Sequence, residues 1–347
     1  MASEAEIRAS FAQQAGFCAQ LDAPFTALLC ETLGKRLDRS TEIGRRVLGW
    51  PGDPGSFADA LPLRLCGGLH ALAMGHAAPD LKKVYPPAPL PDEHSLWSVL
   101  QPQLGRAGLL EWLDHPPQTN EVGRSAVLMS GLLVIADRFP LKMRLYELGA
   151  SAGLNLILDR YSYNLGGLRF GTTRPGPHLS PDWKGPPPPK ARVRIKSRAG
   201  VDLNPGQLPE DYVRLQAYVW PDQQERGRRL AAALGAAIEE PPIVDRGSAA
   251  DWLEATLALD PEVGVTRVVM HSVAFQYFDA DSQRRVSAHI EAAGARASAS
   301  APLAWLRYEL DPEAGKPSLR LRTWPGEEQL LAWAHPHGAW VRWLGDH

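Results

Sequence analysis

Cysteine is scarce: Cys18, Cys30 and Cys66 are the only three in 347 residues. No Cys-x-x-Cys pair exists, which argues against a cysteine-based zinc site. An odd handful of thiols in so long a chain predicts a reducing compartment, not a disulfide framework. Charge of one sign is missing too. Lys and Arg number 37 against 39 Asp and Glu, a formal net charge of −2, without the basic excess of an obligate nucleic-acid binder. Long hydrophobic runs are absent. The longest, Ala126 to Ala136, is broken by Ser130 and falls far short of the ~20 residues of a membrane span. The opening Met1-Ala-Ser-Glu-Ala-Glu-Ile-Arg8 has acids and no apolar run behind a basic start, unlike a secretory signal. These absences predict a cytoplasmic protein with no membrane contact and no strong nucleic-acid signal. Nothing in them speaks to oligomeric state.

What is abundant is glycine and proline, 31 of each, which predicts long loops within a folded chain. Up to about residue 117 the apolar residues recur at helical spacing between Pro/Gly breaks, with no strand alternation. Asp22 is placed to cap a helix carrying Phe25, Leu28, Leu29 and Leu33. After Pro116-Pro117, Thr119 or Asn120 can cap a helix running to about Asp137. Strands and helices then alternate: Lys142–Leu148, Val193/Ile195, Pro242–Asp245, Thr266–Val273 and Leu303–Tyr308 as strands; Ala249–Leu257 and Ser282–Ala293 as helices. Leu154–Leu158 starts a further helix. Leu319–Thr323 and Ala339–Trp343 alternate and can pair antiparallel. The pattern predicts a helical N-terminal cap domain, 1–117, and an α/β domain, 118–347, with a mostly parallel sheet of about seven strands, the first ending at Gly149, and an antiparallel terminal hairpin. Phe170 to Lys190 is a long Pro-rich loop.

The most informative segment is Tyr146-Glu-Leu-Gly-Ala-Ser-Ala-Gly-Leu-Asn155. A strand ending in a turn of small residues lets backbone approach a ligand closely, at the edge of an open α/β sheet where ligands bind. The letters Gly149-Ala-Ser151-Ala-Gly153 also spell a nucleophile elbow, with His335 or His337 as a late base and Asp279 or Asp311 as an acid. That serine-hydrolase alternative, with Ser151 as nucleophile, requires several strands before the turn, where the sequence reads as helix.

The pattern Glu147-x-Gly149-x-Ser151-x-Gly153 resembles motif I of class I S-adenosylmethionine-dependent methyltransferases, with Ser151 where the middle glycine usually stands. The resemblance implies a Rossmann-like sheet and S-adenosylmethionine as cofactor. Gly149, Ala150, Ser151 and Gly153 would pass beneath its methionine and ribose parts, beside Asn155, and Glu147 would orient the turn or the amino end. Asp202, after the second strand, is the candidate ribose acceptor, or else an Asx turn before Pro205. Ser248 or Asp251 would accept from the adenine amino group, with Ala249 or Trp252 walling the base; Ser248 also reads as a helix cap. The fourth strand ends in Met270-His-Ser-Val-Ala-Phe-Gln-Tyr-Phe278, the end that faces the transferred methyl in that family. His271 is the candidate base, or a hydrogen-bonded core histidine, with Gln276 and Tyr277 orienting substrate. Arg192, Arg194, Lys196 and Arg198 alternate along one strand face, as an anion dock or a solvated surface. His335-Pro-His337-Gly338 reads as a turn, and no metal site is expected.

Over most of its length the chain also resembles a bacterial family of unknown function whose members carry a methyltransferase-like domain behind a helical region. The segments are Gln118–Arg124, Glu147–Asn155, Ala217–Gln223 and His335–Val341. Gln118, Asn120, Glu121 and Arg124 are expected to face the site from the cap side, or to cap a domain junction. The resulting expectation is a methyltransferase acting on a small-molecule acceptor. The alternative is a non-catalytic protein that binds a nucleoside-like ligand or a partner.

Overall fold

The first third of the chain places its apolar side chains every three or four residues, and in the computed structural model those stretches are helices. The structure describes residues 2–56 and 58–345. Its contacts divide the chain into two units: Met1–Thr119 with Glu210–Arg228, and Asn120–Pro209 with Arg229–His347. Residues 210–228, read from sequence as α/β, therefore group with the helices.

The helical unit runs through α1 (Glu4–Gln20), α2 (Pro24–Arg36), α3 (Glu42–Leu48), α4 (Leu61–Met74), α5 (Pro79–Val84), α6 (Glu93–Leu100) and α7 (Gly108–Asp114). After α8 (Arg124–Arg138) of the other unit, it gains α9 (Tyr212–Ala217). Ser3 and Glu6 close a capping box on α1, satisfying amides that the first helical turn leaves orphaned. Ile7, Phe11, Phe25, Leu29, Leu33, Leu65 and Leu69 are buried together. Asp22 does not cap α2. It has φ 52°, and Asp222 takes the role instead. Its Oδ1 accepts from Phe25 N at 2.7 Å, and its Oδ2 from Thr26 N at 3.0 Å and from the Thr26 hydroxyl at 2.5 Å. An acidic group at a helix N-terminus also complements the helix dipole. His70 Nδ1 donates to Ala217 O at 3.0 Å.

The other unit is α/β. Its strands are β1 (Lys142–Leu148), β2 (Ser162–Leu165), β3 (Leu168–Gly171), β4 (His178–Leu179), β5 (Asp182–Lys184), β6 (Ile195–Asp202), β7 (Val244–Arg246), β8 (Val265–Ser272), β9 (Leu303–Asp311), β10 (Lys316–Trp324), β11 (Glu328–Ala334) and β12 (Trp340–Trp343). Nine form one sheet in the order β5-β12-β11-β10-β9-β8-β1-β6-β7, and β3-β2-β4 form a small second sheet. From β7 to β9 every pairing is parallel. From β9 to β12 the strands are an antiparallel meander. The sheet is thus wider than the seven strands expected. The expected hairpin is corrected: Leu319–Thr323 and Trp340–Trp343 are not partners, because β11 lies between them. Among the described residues no strand precedes Lys142.

Three further expectations fail locally. No α-helix follows the small-residue turn. Leu154, Leu156, Ile157 and Leu158 are all buried, so the segment has no polar face for an amphipathic helix. The carbonyls a helix would use are captured by side chains: Leu154 O by Tyr161 Oη, Leu156 O by Arg198 Nη1 and Leu158 O by Tyr163 Oη. The Phe170–Lys190 loop contains β4 and β5, and β5 extends the main sheet by pairing with β12. At the start of α8 the cap position falls to Gly123, not to Thr119 or Asn120.

The strand register sorts side chains to two faces. Tyr146, Leu148, Val201, Val269 and Trp305 lie on the face packed by α11 (Ala249–Ala258) and α12 (Ala280–Ala295). In chain order α10 (Gln224–Glu239) precedes β7. Glu147, Met270 and Ser272 point to the opposite face. There α8 packs so closely that a Cβ on its Gly131 would lie 2.4 Å from Leu306, the β9 partner of Met270. β8 is buried along its whole length, as a central parallel strand must be.

Candidate functional site

From β1 the chain crosses to β6 on one side. After β7 it returns to add β8 on the other side of β1. Between β1 and β8 the strand order reverses, and the carboxyl edge at such a switch point is where open α/β sheets bind ligands. The turn after β1 lies at that edge. Gly149 has φ +67° and Ser151 φ +54°, a conformation that glycine adopts freely and serine at some cost. The space expected to await a ligand at Gly149 is filled by protein: a Cβ there would stand 2.6 Å from the Cβ of Ala274.

All five amides of the turn are used internally. Gly149 N and Ala150 N donate to Val201 O, and Gly153 N to Ala150 O. Ser151 N donates to Asp202 Oδ2 at 2.8 Å, and Ala152 N to Asn120 Oδ1 at 3.2 Å. The turn therefore offers no donor fan for a phosphate, unlike a glycine-rich nucleotide loop. Ala152 N is also the amide a nucleophile elbow would need for its oxyanion hole. Ser151 Oγ is buried without a hydrogen-bond partner, so no base addresses it, as a catalytic serine requires. Of the acids considered for that role, Asp279 caps α12 and Asp311 is paired with Arg320.

Beneath the turn lies a polar cluster. Glu147 is 1% exposed. Its Oε1 accepts from Asn155 Nδ2 at 2.9 Å, while Oε2 is buried without a partner. Ser125 donates to Asn155 Oδ1 at 2.7 Å, and Asn155 Nδ2 lies 3.5 Å from Ser272 Oγ. Arg124 donates from Nη1 to Ser272 O at 3.0 Å and from Nε to Pro336 O at 2.9 Å. Burial pushes the Glu147 carboxyl up to about 8, with Asp202 adding to the rise, against the opposing pull of Asn155 and Arg124.

His271 belongs to a different environment. One residue along β8 from Ser272, it points to the opposite face and is fully buried. Its Nδ1 donates to Glu309 Oε1 at 2.7 Å, and its Nε2 accepts from Trp305 Nε1 at 3.0 Å. Both ring nitrogens are engaged inside the protein, which fixes the tautomer and leaves no lone pair for a substrate proton. Glu309 Oε1 also accepts from Ala274 N at 3.0 Å and Phe275 N at 3.2 Å, holding the segment after β8. Gln276 and Tyr277 are exposed on that segment, Tyr277 to 71%.

Residues 8–343 match a family described as an uncharacterized protein conserved in bacteria, DUF2332. The chain belongs to the DUF2332 family. No curated protein matches it.

Three of the four segments that carry the family resemblance meet in the α/β unit of this DUF2332 chain. The turn His335–Gly338 packs backbone to backbone on Gly123: a Cβ on Gly338 would stand 2.2 Å from Gly123 O. With Asn120 on the Ala152 amide and Arg124 on Pro336 O, residues 120–124, 147–155 and 335–341 enclose one polar cluster. Glu121 accepts from Gly123 N at 2.9 Å, and Gln118 falls in the helical unit. The fourth segment, Ala217–Gln223, is the clasp that supplies Asp222 to α2.

The remaining candidates spread along the same edge. Asp202 ends β6, and beyond Ser151 N it accepts from Asn204 N at 2.8 Å, so it makes an Asx turn and braces the glycine turn at once. Ser248 caps α11 through Asp251 N at 3.4 Å, and Asp251 pairs with Arg285. Trp252 donates to Asp245 Oδ2 at 2.7 Å. The alternating cations are largely spoken for: Arg194 donates to Pro140 O, Lys196 pairs with Glu262, and Arg198 with Asp159. Among the described residues no group of His, Cys, Asp or Glu is arranged to hold a metal ion. No described helix is long and apolar enough to cross a membrane. Sequence reasoning missed Ser125 and Glu309, single polar residues without a motif. Ser272 stood within the Met270–Phe278 segment that the sequence singled out.

An orphaned buried acid lies under the turn, an acidic residue ends β6, and the phosphate donors a nucleotide would require are already taken.

Proposed function

We propose that the α/β unit binds a nucleoside of the S-adenosylmethionine type across the carboxyl edge of β6, β1 and β8 and acts as a methyltransferase on a small-molecule acceptor. The observation that carries this reading is the orphaned Glu147 carboxyl at the switch point, beneath a turn whose neighbour β6 ends in Asp202. When bound, the group supplies a methyl on a sulfonium, and the protein's task is to fix distance and angle and exclude water. Glu147, Asn155 and Asp202 orient the ligand; Gln276 and Tyr277 face the acceptor from the exposed segment after β8. His271 has no part in proton transfer and holds that segment through Glu309.

The saturation of His271 also favours a second reading, in which the site binds the nucleoside without turnover. Calorimetric titration of the full chain with S-adenosylmethionine and S-adenosylhomocysteine tests the shared premise, with one-to-one binding of both expected. Absence of binding by either at millimolar concentration overturns both readings. Transfer of labelled methyl to any member of a metabolite panel separates the first from the second.

A further inference from the structure

At the amino edge of the large sheet two arginines stand directly opposite each other. Arg267 of β8 pairs in register with Arg144 of β1 on one side and with Leu303 of β9 on the other. Side chains at such paired positions share a face, and like charges there repel. Arg144 is turned aside: its Nε donates to Ser197 Oγ at 3.1 Å and its Nη2 to Glu262 Oε2 at 2.8 Å. Arg267 has no such outlet. It is 4% exposed, and its Nε, Nη1 and Nη2 are all buried without a hydrogen-bond partner. The ionisable groups that act on it are the Tyr146 hydroxyl and the guanidiniums of Arg296 and Arg144. No carboxylate is among them. Arg296, just past α12, is held in place by the carbonyls of Leu257 and Ala292. Glu262 is shared between Arg144 and Lys196. A buried charge without hydrogen bonds or a counter-charge is costly, and a guanidinium cannot escape by giving up its proton.

We propose that Arg267, Arg144 and Arg296 form a site for a free tetrahedral oxyanion, phosphate or sulfate, which supplies the missing counter-charge. The planar guanidinium fork presents paired N–H donors to two oxygens of such an ion. Arg267 brings its whole donor set, and Arg144 and Arg296 each keep one nitrogen that the bonds above do not use. Near-complete burial of Arg267 selects a small ion over the phosphate of a nucleotide or a peptide. Bound there, the ion ties β1, β8 and the end of α12 together. The site is separate from the proposed nucleoside site. Arg267 lies five residues back along β8 from Ser272, roughly 17 Å of strand, and the two sites share no residue.

The test unfolds the full chain in urea with increasing sodium phosphate or, separately, sodium sulfate, while sodium chloride holds the ionic strength constant. A saturable gain in stability is expected, with a Kd below about 1 mM. At a hundredfold excess over Kd the unfolding constant should fall about 100-fold. The ion with the lower Kd is the one the site prefers. Calorimetry on the wild type should count one ion per chain, a reading that needs no variant. Arg267→Met keeps an unbranched stem and removes the charge. It should abolish the saturable gain and, in chloride alone, be at least as stable as the wild type, because it deletes an unpaired buried charge. Arg144→Gln and Arg296→Gln should each raise Kd about tenfold. The inference is overturned if the wild type shows no saturable response to either ion, or if chloride alone reproduces it. An Arg267→Met protein that still responds, or that is less stable than the wild type in chloride, also overturns it. Since the readout is oxyanion binding, each of these outcomes leaves the proposed function standing.

Discussion

Glu147 and His271 are buried titratable residues at the same carboxyl edge, on neighbouring strands and on opposite faces of the sheet. His271 has a partner for each nitrogen, and the loop that follows it hangs from the same Glu309 oxygen. Glu147 has one oxygen held and one bare. A buried polar group whose valences are filled by protein rigidifies the fold; one left half-filled is available to a ligand. By that criterion His271, which sequence chemistry nominates as a base, is held on both nitrogens by the fold, and Glu147, nominated for orienting the turn or the amino end, keeps one oxygen unfilled.

The largest effect that would break this comparison is at Glu309. Glu309→Ala leaves His271 Nδ1 and the amides of Ala274 and Phe275 without their acceptor, and should destabilise the protein by roughly 3–5 kcal/mol, measured by urea unfolding. Glu309→Gln, which keeps an acceptor, should lose clearly less. A near-neutral alanine variant would free His271 for other duties. Next comes Gly149→Val, which adds a Cβ at φ +67° against Ala274. We expect roughly 2–4 kcal/mol of lost stability, so any accompanying loss of binding is structural.

A subtler measurement sharpens the comparison through pH. The folded-state value of Glu147 lies above its ordinary 4.5, so the native state holds a proton the unfolded chain gives up. Its stabilising contribution is complete below pH 4.5 and is lost as pH rises through about 8. Unfolding free energies of wild type and Glu147→Gln, compared from pH 5 to 8, should diverge by up to ~1.4 kcal/mol per pH unit, the wild type falling. Parallel curves would mean an ionised Glu147. The smallest effect is at Ser151: its buried hydroxyl has no partner, so Ser151→Ala should stabilise the protein, by about 1 kcal/mol. The wild type should stay unlabelled by a fluorophosphonate probe, and covalent labelling at Ser151 would restore the hydrolase.

Much of the fold was legible because periodicity is local. The apolar runs of β1, β8 and β9 and the stripes of α11 and α12 name themselves. Asp202 was singled out because the resemblance asks for an acid after the second strand. What escaped depends on distant partners. The cap on α2 comes from a residue 197 positions away. The helix expected after the turn is prevented by Tyr161, Tyr163 and Arg198 taking its carbonyls. The role of His271 depends on Trp305 and Glu309, neither of which stands out in the sequence.

The clasp of Asp222 on α2 has a bearing on inheritance. The helical unit is written in two stretches of the gene, with most of the first half of the α/β unit between them. A recombination that replaced only the leading stretch would pair a new α2 with an old Asp222, and the two amides and one hydroxyl that the carboxylate holds would have to suit it. Exchange of this unit among family members therefore favours both stretches moving together, and positions 26 and 222, joined through the Thr26 hydroxyl, should vary as one.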